Sequence, residues 1–185
     1  TSGGGALITK TKAEKEKAIF FATQSKDPAP YYQHSEIGYN YRMSTICASI
    51  GRGQMKVLNN HIASRRAMRD FYIDLFEDFE GITVFSVPNE DYYSNYWLTT
   101  ILIDPEKSNT INRETIRLAL EEENIESRPL WKPMHLQPIF KNYPYYGSIV
   151  AQTLFEKGLC LPSGSNLTNI DRAKIKRVVL KICQK

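Results

Sequence analysis

The chain has 185 residues, of which 42% are hydrophobic and 24% charged, with 24 Lys and Arg against 20 Asp and Glu. This composition is typical of a globular protein with one sizeable domain or parts of two. No apolar run approaches the length of a membrane span. The net charge of +4 is modest and spread along the chain, so it favours anionic small molecules about as well as nucleic acid.

The three cysteines, Cys47, Cys160 and Cys183, exclude two common roles. They are odd in number, form no CxxC pair and have no His at ligand spacing, which argues against a disulfide framework and a zinc site. We expect them to be reduced, mostly buried thiols of a cytosolic protein, with no metal bound.

The chain opens with Thr1-Ser2-Gly3-Gly4-Gly5 and continues into an apolar stretch, residues 5–9, that we predict to be a short buried strand. Three flexible glycines directly before a strand are typical of the middle of a domain, because ordering glycine at an untethered terminus costs a large conformational entropy. We therefore expect the chain to be the C-terminal part of a longer protein; the alternative is a linker sequence.

Two helices dominate the first half. The composition of residues 11–21 predicts an amphipathic helix, which Pro28 and Pro30 prevent from extending. Apolar residues at steps of three and four predict a long helix over 44–79, with Ser44 as its N-cap. Gly51 and Gly53 weaken this helix, and close packing of another backbone would explain them.

The second half alternates strands and helices. We predict strands at 82–87, 96–103, 125–127 and 159–161, the second of them central in the sheet. Helices are predicted from the Asn112 cap to Glu123, over 149–157, and from Thr168, which forms a capping box with Asp171. Together these elements indicate a compact α+β domain.

Two clusters could carry chemistry. Residues 38–44 place a glycine, an amide, a guanidinium and two phenols at the start of the long helix, where a scaffold can position a ligand-holding segment. Residues 128–138 contain three prolines, three cationic or donor side chains and Trp131. Such a segment suits a phosphate-plus-base ligand such as a nucleotide, and an ordinary solvated connection explains it equally well.

The remaining candidates are weaker. We interpret His61 as a surface or packing residue and His34 as a loop histidine, with contact to a ligand as the alternative for His34. No paired-carboxylate or Ser-His-Asp arrangement can be assigned by spacing.

Four segments, in their order, together resemble a known family. They are Thr-Ser-Gly-Gly-Gly-Ala-Leu-Ile-Thr at 1–9, Gly-Tyr-Asn-Tyr-Arg-Met at 38–43, Arg-Pro-Leu-Trp-Lys-Pro-Met-His-Leu-Gln-Pro at 128–138 and Leu-Cys-Leu-Pro-Ser at 159–163. The combination resembles the C-terminal half of the DegT/DnrJ/EryC1/StrS sugar-nucleotide aminotransferases, which use pyridoxal 5′-phosphate (PLP). The third segment is similar to members that aminate a UDP-linked 4-keto-6-deoxy sugar on the route to bacillosamine-type sugars.

This resemblance implies an α/β fold class, the C-terminal portion of the fold-type I PLP-dependent transferase fold. Residues 1–57 would be a remnant of the large PLP-binding domain with the start of the long connecting helix. Residues 58–185 would be the small α+β domain.

The resemblance also implies roles for six residues. Asn40 would reach across a dimer interface to the cofactor phosphate of the partner subunit, and Arg42 would lie at that interface or meet the substrate. Lys132 and His135, with Arg128 and Trp131 beside them, would approach the sugar nucleotide.

The lysine that forms the Schiff base would precede Thr1, so we assign no catalytic residue here and expect the chain alone to be inactive. The implied whole enzyme is a cytosolic homodimer with a shared active site. It would transfer an amino group from glutamate to a UDP-keto-sugar in surface-glycan biosynthesis, without nucleic-acid or membrane partners. Two alternatives stay open: a non-catalytic nucleotide- or RNA-binding α+β module, and a regulator built on this fold.

Overall fold

The computed structural model describes residues 3–109 and 111–183, so Thr1 and Ser2 of the first motif lie outside the described part. The chain divides into two compact units, residues 1–58 and 59–185. The described residues form five α-helices and four β-strands: α1 (Lys12–Ala22), α2 (Thr45–Phe76), β1 (Ile82–Val84), β2 (Thr99–Ile103), α3 (Arg113–Glu122), β3 (Arg128–Pro129), α4 (Val150–Lys157), β4 (Gly158–Leu161) and α5 (Asn169–Cys183).

Side-chain caps start the helices where the sequence predicts them. The Thr11 hydroxyl accepts from the Glu14 N–H at 3.2 Å, and the Glu14 carboxylate accepts from the Thr11 N–H at 3.0 Å. Asn112 caps α3 through two N–H groups, and Thr168 and Asp171 form the predicted capping box of α5. Each cap satisfies N–H groups that the first helical turn leaves without partners.

The second unit is built on a four-stranded antiparallel sheet in the order β1-β2-β4-β3. The prediction that β2 is central is therefore confirmed. Ile101 of β2 lies opposite Leu159 of β4, and both are fully buried. The core around them includes apolar side chains of α2, α3 and α5: Met68, Tyr72, Ile116, Leu120, Ile175 and Val179.

Four strand predictions need correction. The strand predicted at 82–87 ends at Val84. Residues 5–9 form no strand, and Ile8 is 95% exposed, because no neighbouring strand among the described residues supplies hydrogen bonds to this segment. The predicted strand at 96–103 begins only at Thr99, since Tyr96 adopts a positive φ of 45° that interrupts extended backbone. The strand predicted at 125–127 lies instead at Arg128–Pro129, where β4 provides its partner.

Helix α2 ends at Phe76, three residues before the predicted end. Its buried residues, Met68, Tyr72, Leu75 and Phe76, all belong to the second unit. Apolar side chains earlier in the helix, such as Ile46 and Ile50, are exposed. At Gly53 an added Cβ would meet no atom within 4 Å, so this chain does not supply the close packing that we expected there.

We expect Leu159→Ala to lower the free energy of unfolding of the second unit by about 2–5 kcal/mol, because it removes a fully buried side chain from the centre of the sheet. Urea titration with far-ultraviolet circular dichroism measures the change. Leu118→Ala is the matched control, since Leu118 is 45% exposed on α3 and its truncation should cost less than about 1 kcal/mol. Equal losses in the two variants would contradict the assignment of the core.

Candidate functional site

The Tyr39–Tyr41 loop is fixed against the end of α1 by main-chain hydrogen bonds. The Tyr39 N–H donates to the Phe21 carbonyl at 2.7 Å, and the Tyr41 N–H donates to the Ala22 carbonyl at 3.0 Å. The Tyr39 carbonyl in turn accepts from the Gln24 N–H at 3.0 Å. These bonds position the loop without using its side chains, which remain available for a ligand.

Glycine is required at position 38 by a close approach of two backbone segments. A Cβ on Gly38 would lie 2.3 Å from the Gln24 carbonyl carbon and 2.3 Å from the Ser25 nitrogen. Both neighbouring atoms belong to the main chain, so they cannot move away as the end of a flexible side chain could. Gln24 and Ser25 also have positive φ angles of 71° and 50°, so this turn is already constrained.

The Tyr39–Tyr41 loop presents Asn40 to the surface. The Tyr39 and Tyr41 rings stack with centroids 5.0 Å apart, which places them on one side of the extended segment. Because neighbouring side chains alternate along such a segment, Asn40 points the other way. Asn40 and Arg42 are both exposed, and no side-chain hydrogen bond or ion pair occupies either of them among the described residues. Their donors are therefore free, as a phosphate or carboxylate ligand requires.

The second cluster does not form a single site. Arg128 and Trp131 line a cleft of about 660 Å³ in the second unit, and the Arg128 guanidinium pairs with the Glu126 carboxylate at its rim. This ion pair is mostly exposed and contributes little to stability, so Arg128 can exchange partners at low cost.

Lys132 and His135 lie outside this cleft. The His135 ring stacks on Tyr145 with centroids 3.8 Å apart and lines a smaller pocket with Met134 and Phe140. The Lys132 side chain is exposed, and its carbonyl accepts from the Gln137 side chain at 3.3 Å. Arg128 and Trp131 therefore lie in the cleft and His135 lies in the smaller pocket, while the Lys132 side chain lines neither.

The sequence pattern does not identify two further cleft residues, Trp97 and Ser127. The Trp97 and Trp131 rings both line the cleft and form a tilted pair, with centroids 6.5 Å apart and planes inclined by 34°. The Ser127 hydroxyl is shielded from solvent and has no hydrogen-bond partner. No local signal in the sequence identifies Trp97 as a cleft residue, because it reaches the cleft from a loop that is distant along the chain from Trp131.

Arg65 of α2 and Ser163, which follows the end of β4, anchor the walls of the cleft. Arg65 donates to the carbonyls of Trp97 and Ser163, and the Ser163 hydroxyl accepts from the Thr99 N–H at 2.8 Å. The backbone that carries Trp97 is thus tied to the end of β4. A fixed backbone with an exposed aromatic side chain suits ligand contact better than core packing.

Cys160 lies at the floor of the cleft and is buried. Burial raises the pKa of its thiol, and burial also raises the pKa of Cys183 to about 11. Both are therefore protonated at neutral pH and are not nucleophiles. All three cysteines are free thiols in the structure; Cys160 is buried as expected, whereas Cys47 and Cys183 are only half-buried.

The other candidate residues make ordinary polar contacts. His34 Nδ1 lies 2.8 Å from the Gln24 carbonyl, and His61 Nδ1 lies 2.8 Å from the Ser165 hydroxyl. Within residues 3–109 and 111–183, no three His, Cys, Asp or Glu side chains are grouped to hold a metal ion. Over the same residues, no helix combines the length and the apolar character needed to cross a membrane.

The sequence model of the DegT/DnrJ/EryC1/StrS aminotransferase family matches residues 1–182. The chain belongs to this family. It is 41% identical over 98% of its length to EpsN of Bacillus subtilis (strain 168), a protein named provisionally as a pyridoxal phosphate-dependent aminotransferase. It is 30% identical over 91% of its length to the GDP-perosamine synthase of Escherichia coli O157:H7. The predicted family is confirmed, and with it PLP as the cofactor on which the family depends.

Solved structures confirm the predicted fold. The chain matches 48% of Helicobacter pylori PseC, an aminotransferase involved in pseudoaminic acid biosynthesis, with a TM-score of 0.80 over 96% of its own length at 22% identity. It matches 46% of a DegT DnrJ EryC1 StrS aminotransferase from Brucella abortus with a TM-score of 0.77 at 24% identity.

The chain spans about half the length of the curated relatives it matches: 47% of EpsN and 44% of the perosamine synthase. The structure therefore shows only a part of the fold that the family's longer members adopt. Which parent domain each of its two units represents stays a prediction.

We expect Gly38→Ala to loosen the Tyr39–Tyr41 loop, because the added Cβ would clash with main-chain atoms of residues 24 and 25. Hydrogen exchange of the Tyr39 and Tyr41 amides should accelerate by at least about tenfold, which corresponds to about 1.4 kcal/mol. Gly53→Ala is the matched control: its Cβ meets open space in a helix, so it should slow exchange in the first half of α2 by roughly fivefold. Unchanged exchange in Gly38→Ala would refute the close approach.

Proposed function

We propose that the longer protein containing this chain is a cytosolic PLP-dependent aminotransferase that transfers an amino group from glutamate to a UDP-linked 4-keto-6-deoxy sugar for surface-glycan biosynthesis. The names of several relatives support a nucleotide-sugar substrate. They include GDP-perosamine synthase, a dTDP-4-amino-4,6-dideoxy-D-glucose transaminase of Escherichia coli and a UDP-4-amino-4-deoxy-L-arabinose–oxoglutarate aminotransferase of Shewanella sediminis. Family membership favours this function over the non-catalytic nucleotide- or RNA-binding module that the sequence left open.

The observation that carries the proposal is the Asn40 carboxamide, exposed on a loop whose backbone is held by three hydrogen bonds. An uncharged N–H donor with no competing partner fits a phosphate group, and the rigid backbone lowers the entropy lost when it binds. We assign Asn40 to the PLP phosphate of the partner subunit in a homodimer. Bound PLP supplies the electron sink for amino-group transfer.

Arg42 follows Asn40 by two residues and is equally exposed. We assign its guanidinium to the same interface, where it orders the loop or pairs with the carboxylate of the amino-acid substrate. Since the Tyr39 and Tyr41 rings stack on each other, they stiffen the segment that carries both polar side chains.

The second unit supplies the residues that we assign to the sugar nucleotide. Arg128 at the rim of the cleft can pair with a diphosphate, and Trp131 offers an aromatic face. Lys132 and His135 present their donors on the neighbouring surface. Two adjacent surfaces of this kind suit an extended ligand with a base, a diphosphate and a sugar.

We expect Asn40→Ala in the longer protein to weaken PLP retention by roughly fivefold to tenfold, because a charge-assisted hydrogen bond to the phosphate is lost. Dialysis followed by cofactor absorbance measures the loss. Asn169→Ala provides the matched control, since Asn169 is exposed at the first position of α5 and does not cap that helix. Unchanged retention in Asn40→Ala with normal circular dichroism would remove Asn40 from the cofactor site.

We also expect the 185-residue chain by itself to show no covalent PLP adduct, because the lysine that carries the cofactor is proposed to precede Thr1. Borohydride reduction and mass spectrometry test this prediction. The longer protein should gain the mass of one reduced cofactor at a lysine upstream of Thr1. A reduced adduct on Lys10 or Lys12 in the short chain would overturn the assignment.

A further inference from the structure

We propose that Tyr145 is a positioning residue for His135: its phenol ring stacks on the imidazole and fixes it with both ring nitrogens available to the substrate. This inference rests on the proposed function, which assigns His135 to the sugar-nucleotide substrate. It adds Tyr145 and Gly147, to which neither the family resemblance nor the sequence pattern gives a role.

The backbone that carries His135 is fixed by its own turn. His135 lies in the middle of a 3₁₀ turn, Met134–Leu136, that Pro133 precedes. The Leu136 N–H donates to the Pro133 carbonyl at 3.0 Å, and the proline ring restricts the backbone at the start of the turn. Rotation of the imidazole about its side-chain bonds is therefore the main freedom that a neighbouring residue can still restrict.

The Tyr145 ring restricts that rotation. Its centroid lies 3.8 Å from the centroid of the His135 ring and the two planes are inclined by 21°, so the rings overlap face to face at contact distance. Tyr145 is anchored at its far end, because its hydroxyl donates to the Ser148 carbonyl at 2.7 Å. The imidazole thus takes its orientation from a surface that is itself held in place.

Gly147 leaves the space that the Tyr145 ring occupies. A Cβ on Gly147 would lie 2.5 Å from the Tyr145 hydroxyl oxygen and 2.8 Å from the Cζ atom that bears it. Both distances are shorter than the contact distance of about 3.5 Å between heavy atoms. Because both atoms belong to the Tyr145 side chain, that ring would have to move, and it would leave its place over His135.

Stacking leaves the ring nitrogens of His135 free. A histidine that is oriented by a hydrogen bond commits one nitrogen to that bond, and this chain contains two such cases: Nδ1 of His34 and Nδ1 of His61 each lie 2.8 Å from an oxygen. Among the described residues, no hydrogen bond occupies a ring nitrogen of His135. A neutral imidazole held by its face can donate from one nitrogen and accept at the other, so both can meet a ligand.

The surrounding segment suits a ligand that is rich in oxygen. Residues 127–155 contain three Lys or Arg residues and no Asp or Glu, so no carboxylate of this segment competes for the imidazole. His135 is half-buried and Tyr145 is 48% exposed, which leaves the pair open to solvent on one side. Carbonyl, hydroxyl and phosphate oxygens of a sugar substrate can accept a hydrogen bond from such a ring.

Histidine ring resonances test the stack directly, because a proton above the face of a phenol ring is shifted upfield. Deuterated longer protein labelled with ¹³C in its histidine rings gives a Cε1–H signal for each histidine, and the signal absent from His135→Gln belongs to His135. We expect this signal to move downfield in Tyr145→Leu and in Gly147→Ala, and to stay upfield in Tyr145→Phe, which keeps the ring. Tyr146→Leu is the matched control, since Tyr146 is the next residue and is 89% exposed.

The two half-reactions of the longer protein test the role of the stack. With a UDP-linked 4-keto-6-deoxy sugar as the amino acceptor, Tyr145→Leu and Gly147→Ala should raise KM by roughly two- to tenfold, the range for the loss of an aromatic pair. Tyr145→Phe should keep a KM close to that of the unaltered protein. The half-reaction with glutamate should be unchanged, because His135 is not assigned to it; a general loss of folding would slow both.

Three outcomes would overturn the positioning role. They are a His135 signal that does not move in Tyr145→Leu, an unchanged keto-sugar KM in Tyr145→Leu or in His135→Gln, and equal losses in the two half-reactions. An inactive longer protein in which Tyr145→Leu still moves the His135 signal would instead refute the proposed aminotransferase and leave the positioning of the ring standing.

Discussion

The hydrogen bonds between residues 39–41 and the end of α1 are the interaction on which the proposed cofactor contact depends. They use main-chain groups alone, so the Asn40 carboxamide remains free while its backbone is fixed. The close approach at Gly38 makes this arrangement possible, because any side chain there would separate the two segments. A loop held in this way offers a preformed donor to a ligand, so less conformational entropy is lost when the ligand binds.

The second unit uses a comparable arrangement for its cleft. The pairing of β2 with β4 fixes the floor, and Ser163 and Arg65 join the end of β4 to the backbone before β2. Trp97 and Trp131 project from this framework and remain exposed. In both units, rigid main chain thus supports polar or aromatic side chains that lack partners within the described residues.

The sequence predicted the features that depend on local interactions. The capping box of α5 and the Asn112 cap are set by residues within one helical turn, so spacing alone identifies them. The capping box of α1 between Thr11 and Glu14 is equally local but was not predicted. Residues 5–9 were mispredicted because a strand depends on a partner that local pattern cannot supply. The cleft was only half predicted for the same reason: Trp131 stands in a recognisable motif, whereas Trp97 joins it through tertiary folding. The stacking of His135 on Tyr145 is also a tertiary contact. The close spacing of the polar residues in 128–138, which suggested a single cluster, could therefore not predict it.

The central claim is that Asn40 serves a cofactor held by the other subunit. Mixing two variants of the longer protein, one lacking the upstream lysine and one carrying Asn40→Ala, tests it most directly, at a PLP concentration low enough that the Asn40→Ala homodimer is largely free of cofactor. If the site is shared, hybrid dimers contain one site with both groups intact, and random exchange should restore about a quarter of the wild-type activity. If Asn40 acts within its own subunit, no hybrid dimer contains an intact site. Absence of recovery after verified subunit exchange would contradict the account.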